Sequence, residues 1–273
     1  MPITGSSPSA GVAAQARTVR VPGAATARVR DLLGGPDAVG EVVHRGRDAA
    51  YVAVAGHCLG VLARNAVHVP CGLLTTLPAL GGLAGPGDRV RIHDGILVVG
   101  EVAVTVARLV PSALPRIDDP VRARADLRPV LASATDEVAT ELPATALRAL
   151  GRGEPASVGD LLGRGSGLTP LGDDVLSGWL AAAAATRLTV AAGVRREVST
   201  LASRRTTLLS AELLDCAVAG EVVPQLRELL TALATGRSPA PAAGRLLRIG
   251  HTSGAGLALG CLLALTPREG SPA

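Results

Sequence analysis

The sequence predicts an α+β protein, with an N-terminal small antiparallel β-sheet or barrel-like domain followed by an all-helical C-terminal domain. Three observations carry this. Short Val-rich runs fill the stretch from Ala38 to Leu109, and Gly, Pro or Asp-Gly breaks separate them. After Pro111 the chain turns Ala-, Leu- and Arg-rich with helical spacing.

The strand-like runs are Val39 to Val43, Ala50 to Val54, Val61 to Ala63, Asp88 to Ile92, Ile96 to Val99 and Ala103 to Ala107. Asp94-Gly95 between two of them is a two-residue hairpin signal, because both turn positions need positive φ. Residues 120–150 have helical spacing, and five further helices follow: Asp173 to Thr186, Val194 to Ala219, Pro224 to Thr235, Ala240 to Ile249 and Thr252 to Leu265. Gly220 and Gly236 stand where helices stop, and Pro224 suits a first helical turn. The chain therefore divides into a flexible arm over 1–25, a β-rich domain over 26–112, a helical domain over 113–268 and a tail over 269–273.

Composition excludes several functions. All 27 basic residues are Arg, so no Schiff-base, P-loop or Ser-Lys lysine exists. The Arg residues are scattered, and with Phe absent and one Trp and one Tyr there is little to stack on bases, which argues against nucleic acid. The four cysteines are widely spaced and read as reduced thiols of a cytoplasmic protein. The first 25 residues lack a signal-like apolar run, and no stretch is long enough to span a membrane.

The segment Gly165-Ser166-Gly167-Leu168-Thr169-Pro170-Leu171-Gly172-Asp173-Asp174 is the candidate centre. Its glycines Gly165, Gly167 and Gly172 permit close approach to the main chain, and a helix start reached through glycines suits an anion. Asp173 or Asp174 is placed to cap the helix that follows. Two adjacent carboxylates would repel phosphate, so an Arg or a Mg²⁺ held by Asp173 and Asp174 is the expected counter-charge. The alternative is a well-capped helix after a tight loop.

Two further clusters follow. At Gly250-His251-Thr252-Ser253-Gly254, His251 is the general acid/base candidate, and Thr252, Ser253 and Gly254 open a helix; a surface His beside an ordinary cap is the plainer reading. Ser203, Thr206 or Thr207, and Ser210 fall on one helix face at spacings of three and four, and this hydroxyl row beside Arg204 and Arg205 suits a carboxylate or phosphate, or else forms a solvated face. Ser203-Arg204-Arg205-Thr206 also spells the Ser-x-Arg-Thr phosphate motif of classical carbamoyltransferases, but mid-helix, where N–H groups are not free. Asn65, the only Asn, is a residue that faces either a ligand at the domain junction or a turn.

The glycine-rich block resembles the signature of a bacterial family long catalogued as a domain of unknown function, some members of which are assigned as a subunit of oxamate carbamoyltransferase. Arg205-Thr206-Thr207 with Ser210-Ala211, Gly220-Glu221, and Gly250-His251-Thr252-Ser253-Gly254 follow in the family's order, and the likeness covers roughly residues 160–265. Leu171 stands where the family pattern has Ser. The resemblance implies exchange of a carbamoyl group between an oxalurate-like ureide and phosphate, in a multi-subunit enzyme acting on a small anionic substrate. On that chemistry the loop supplies the phosphate site, Arg204 or Arg205 polarises the carbonyl and His251 takes the proton. A non-catalytic small-molecule or anion-binding accessory subunit is the first alternative, and a metal-assisted amidohydrolase the second.

Overall fold

The computed structural model describes residues 18–267. The expected N-terminal arm lies outside the described residues up to position 17, and so does the C-terminal tail.

The β-rich part is a closed eight-stranded barrel ordered β1-β5-β4-β3-β2-β6-β7-β8. Its strands are β1 (Val19–Ala25), β2 (Ala38–Arg45), β3 (Ala49–Val54), β4 (His57–Leu62), β5 (Gly72–Thr75), β6 (Arg89–His93), β7 (Ile96–Val99) and β8 (Val102–Leu109). Inward side chains such as Val52, Leu59, Val61, Leu73, Val90, Leu97 and Val104 fill the interior, joined by Val29 and Leu33 of the short helix α1 (Ala27–Leu33). The β6–β7 hairpin turns on Asp94 and Gly95 at φ 50° and 76°, as the dipeptide predicts. Ala55 and Gly56 make the equivalent β3–β4 turn at φ 53° and 79°.

Two differences from the sequence expectation matter. Val19–Ala25, assigned above to the arm, is a barrel strand that pairs along its whole length with β8. Nor is the sheet wholly antiparallel, for β1 runs parallel to β8 and β4 parallel to β5. A parallel pair cannot be joined by a tight hairpin. The connection over 63–71 must therefore leave the barrel and return, and it does so on the side facing the helices. The four-residue strand β5 is too short to stand out as a periodic run.

The helical part comprises α2 (Pro120–Ala139), α3 (Ala144–Arg152), α4 (Ser157–Leu161), α5 (Leu171–Ala185), α6 (Ala191–Arg205), α7 (Leu208–Val218), α8 (Pro224–Ala234), α9 (Ala240–Leu246) and α10 (Ser253–Ala264). Its centre is the pair α5 and α10, both buried nearly all round. A Cβ on Gly178 would lie 2.0 Å from the Leu257 carbonyl oxygen, and one on Gly260 would lie 2.0 Å from that of Val175. Leu171 and Asp174 meet Gly256, while Val175 and Trp179 meet Gly260, so the two helices run in the same direction. Their N-termini consequently lie side by side.

The helix expected over Val194 to Ala219 is two helices, α6 and α7. The chain extends at Thr206 (φ −138°, ψ −177°), and Thr207 caps α7 by accepting the Ser210 N–H at 3.1 Å. The break resets the helical phase, so Ser203, Thr206 and Ser210 do not share one helix face, and Leu208 is exposed. Ser-Arg-Arg-Thr closes α6 instead of lying inside a helix. There carbonyls are free and the dipole is negative, which disfavours phosphate.

The barrel and the helices meet through α7. Glu212 is buried, and its Oε2 accepts the Cys58 N–H at 3.2 Å and lies 3.1 Å from His57 Nδ1. Arg28 of α1 reaches Glu212 Oε1 at 3.4 Å and also bonds Asp215. Beside this network Tyr51, Cys58, Leu62, Val69 and Cys71 of the barrel pack on Leu209 and Cys216 of α7. All four cysteines are buried free thiols. Burial pushes Cys58 and Cys261 up to about 12, so they stay protonated. No helix among the described residues is long and apolar enough to cross a membrane.

Gly260→Ala is expected to lower stability by roughly 1–3 kcal/mol, because the added methyl must force α5 and α10 apart. Thermal unfolding followed by circular dichroism checks this; an unchanged midpoint contradicts the close contact.

Candidate functional site

A cavity of about 470 Å³ lies between the barrel, the crossover over 63–71 and the helical part. That volume suits a small organic ligand. The barrel side contributes Asp48, Tyr51, Asn65, Val67 and Val69, and the glycine-rich loop contributes Leu168 and Thr169. Asp174 and Ser177 come from α5, Leu209 and Leu213 from α7, and Ser253 and Leu257 from α10. Glu221 follows the left-handed Gly220 that ends α7.

The two adjacent aspartates have separate surroundings. Neither caps α5: Pro170 is the N-cap residue and both sit in the first turn, where Asp173 N–H and Asp174 N–H donate to the Pro170 carbonyl. Asp173 turns inward. Its Oδ1 accepts the Gly163 N–H at 2.7 Å, and its Oδ2 accepts the Ser210 hydroxyl at 2.7 Å and the Thr206 hydroxyl. These bonds tie the start of α5 to the α6–α7 break. Burial raises the Asp173 pKa, while the three donors hold it down.

Asp174 turns the other way, into the cavity. It is only 7% exposed, and its Oδ2 is buried without a hydrogen-bond partner among the described residues. Burial pushes its carboxyl up to about 8, with Ser253 pulling it down and the Asp173 charge adding to the rise. Ser253 Oγ also lies 3.1 Å from Thr169 Oγ1, which joins the loop to the start of α10.

The remaining sequence candidates divide sharply. Thr169, Asp174 and Ser253 line the cavity; Thr206 and Ser210 serve Asp173. Gly172 and Gly254 are packing positions, since a Cβ would come within 1.9 Å of the Leu161 carbonyl oxygen and 2.1 Å of that of Leu246. The Gly172 N–H is also used, donating to the Arg164 carbonyl at 2.9 Å. Gly165 and Gly167 take φ of 109° and 91° and are exposed, and neither lines the cavity. Arg204 is exposed, and exposed Arg205 bonds the Gly159 carbonyl at 3.1 Å. His251 is exposed and Thr252 half-buried, and neither lines the cavity.

Sequence reasoning missed Tyr51 and Ser177, and it noted Glu221 only as part of the family-like Gly220-Glu221 block, without a role. Ser177 was legible as the residue one turn beyond Asp174 on the same face. Tyr51 carried no local signal, because only the packing of α7 on the barrel brings it here. Both oxygens of Asp173 accept hydrogen bonds from donors of the chain itself. No group of three or more His, Cys, Asp or Glu among the described residues could hold a metal ion.

Residues 161–265 match the family model described as oxamate carbamoyltransferase subunit AllH. Over that segment, rather less than half of the chain, the protein is similar to this family. Comparison with curated proteins and with solved structures finds no match. The matched segment contains all of α5, α7 and α10, and so the whole helical side of the cavity.

A protonated Asp174 gives a specific pH dependence. Its carboxyl titrates near 8 in the folded protein and near 3.8 unfolded, so the unfolded chain releases this proton first as pH rises. The contribution is fully present below about pH 4 and is lost progressively up to about pH 8. Asp174→Asn is therefore expected to flatten the fall of the thermal midpoint across that range, with the variant the more stable at pH 8. Parallel wild-type and variant curves count against an elevated pKa.

Proposed function

We propose that this chain is a subunit of a carbamoyltransferase acting on a small ureide, and that the cavity holds the reacting carbamoyl group, with Asp174 as proton carrier. The observation that carries the reading is Asp174, a buried aspartate with an unpaired oxygen, among the residues lining a ligand-sized cavity inside the segment that matches the family. In phosphorolysis of oxalurate, a phosphate oxygen bonds the carbamoyl carbon and the bond from that carbon to the oxamate nitrogen breaks. The protonated Asp174 donates to the departing nitrogen, and hydrogen phosphate returns a proton to Asp174. The products are oxamate and carbamoyl phosphate. A carboxyl titrating near the working pH serves both directions.

The anionic groups need another partner. Among the described residues no Arg or His lines the cavity. In this reading phosphate meets N–H donors of the exposed stretch from Gly165 to Gly167, which leads into the lining residues Leu168 and Thr169, with the balancing cations supplied by a further subunit. The same absence of lining cations favours a second reading, an accessory subunit that binds the small molecule while a partner chain performs the chemistry.

Phosphate-dependent cleavage of oxalurate, assayed with this chain alone and with its partner subunits, separates the two. Asp174→Asn is expected to lower turnover at least about a hundredfold while the protein stays folded. Unchanged turnover in the assembled enzyme with Asp174→Asn removes Asp174 from the chemistry and leaves the accessory reading.

A further inference from the structure

We propose that a second cavity, on the other side of one wall of the first, binds a small oxyanion, its charge met by Arg108 and Arg227 with His68 beside them. The inference stands apart from the transferase reading, since it concerns different residues and needs no reaction in the first cavity. The second cavity measures about 230 Å³ and lies where the end of the barrel meets the start of α8. Its polar lining is Thr26, His68, Arg108, Ser112 and Arg227, with no Asp or Glu among the lining residues. Val69, Pro70 and Val222 line both cavities, so carboxyls stand on one side of that wall and bases on the other.

The three bases come from separate elements. Arg108 is on β8, His68 on the crossover over 63–71, and Arg227 in the first turn of α8. Arg108 is exposed, and Arg227 and His68 are half-buried. Neither guanidinium forms a hydrogen bond or ion pair with a side chain among the described residues. His68 Nε2 donates to the Gly72 carbonyl at 3.2 Å, which leaves Nδ1 without a partner. Burial lowers the His68 pKa against the pull of that bond, and the charge of Arg108 lowers it further. The positive end of α8, which begins at the lining residue Pro224, adds to the same field.

Like charges gathered around one cavity repel, and an anion between them turns that repulsion into attraction. Guanidinium presents a rigid fork of donors that matches the oxygens of a carboxylate or a phosphate. An ammonium ligand meets only like charge here, and a neutral amide forfeits the charge-assisted strength of each bond. The rest of the lining, including Val110, Pro111 and Val222, is apolar and can take a short carbon stem. An oxyanion held by Arg108 and Arg227 also bridges the barrel and the helical part.

The test titrates the full chain by calorimetry with butanoate and, separately, with inorganic phosphate, in chloride buffer of constant ionic strength. At least one of the two is expected to bind despite about a tenfold excess of chloride, and the tighter one names the ligand as a carboxylate or a phosphate. Arg108→Gln and Arg227→Gln should each weaken that binding at least about tenfold. Arg196→Gln, which removes the same charge from an exposed position of α6, should leave it unchanged. Proton NMR of the histidine rings should show the His68 titration moving to higher pH with the anion bound, because the anion offsets the charge of Arg108. Should Arg227→Gln fail to fold, the exposed Arg108→Gln carries the same comparison. Failure of both anions to bind, wild-type affinity in the folded Arg108 and Arg227 variants, equal weakening by Arg196→Gln, or an unmoved His68 titration overturns the inference.

Discussion

Backbone-to-backbone contact between α5 and α10 is the constraint from which the rest of the helical part follows. Gly178, Gly256 and Gly260 remove the side chains that would keep the two helices apart, and each faces main chain or a first-turn residue of the other helix. Because the helices run in the same direction, two positive helix ends come together at one point. Asp174 stands there with a carboxyl that burial keeps largely protonated at neutral pH. A fully ionised aspartate in the same place would be more costly, since it is sealed from solvent and has a second aspartate beside it in the chain.

Asp173 explains how the second aspartate is accommodated. Its three donors come from Gly163, Thr206 and Ser210, which belong to the α4–α5 loop, the α6–α7 break and α7. It acts as a fastener, holding the α6–α7 break against the start of α5. The residues around it fall in the same blocks that mark the family resemblance, so part of that signature is architectural. One aspartate secures the helices and its neighbour is left to face the ligand space.

The barrel contributes through an irregularity of its own. A parallel β4–β5 pairing requires a crossover, and that crossover supplies Asn65, Val67 and Val69 to the cavity wall. Glu212 locks α7 to the barrel by accepting from the Cys58 amide and meeting His57 and Arg28. The cavity is thus enclosed by two dissimilar folds pressed together, and neither wall alone forms a pocket for a small ligand.

Val-rich runs, Asp94-Gly95 and the change of texture near residue 112 were sufficient to read the α+β class from the chain, because they are local preferences of backbone and side chain. The glycine-rich block also announced itself, since glycines, a proline and paired acids within ten residues serve more than packing. Several things were not legible. The break at Thr206-Thr207 lies in a run with continuous helical spacing, and only the demand of Asp173 for donors explains it. The short strand β5 and the strand status of Val19–Ala25 depend on pairing partners distant in sequence. His251 and the two arginines had the right chemistry but were placed outside the cavity by helix direction. Sequence determined which residues had chemistry to offer and the change from a β-rich to a helical part. Tertiary structure alone decided which of the two aspartates faces the ligand space, since that depends on donors and neighbours brought from three other elements.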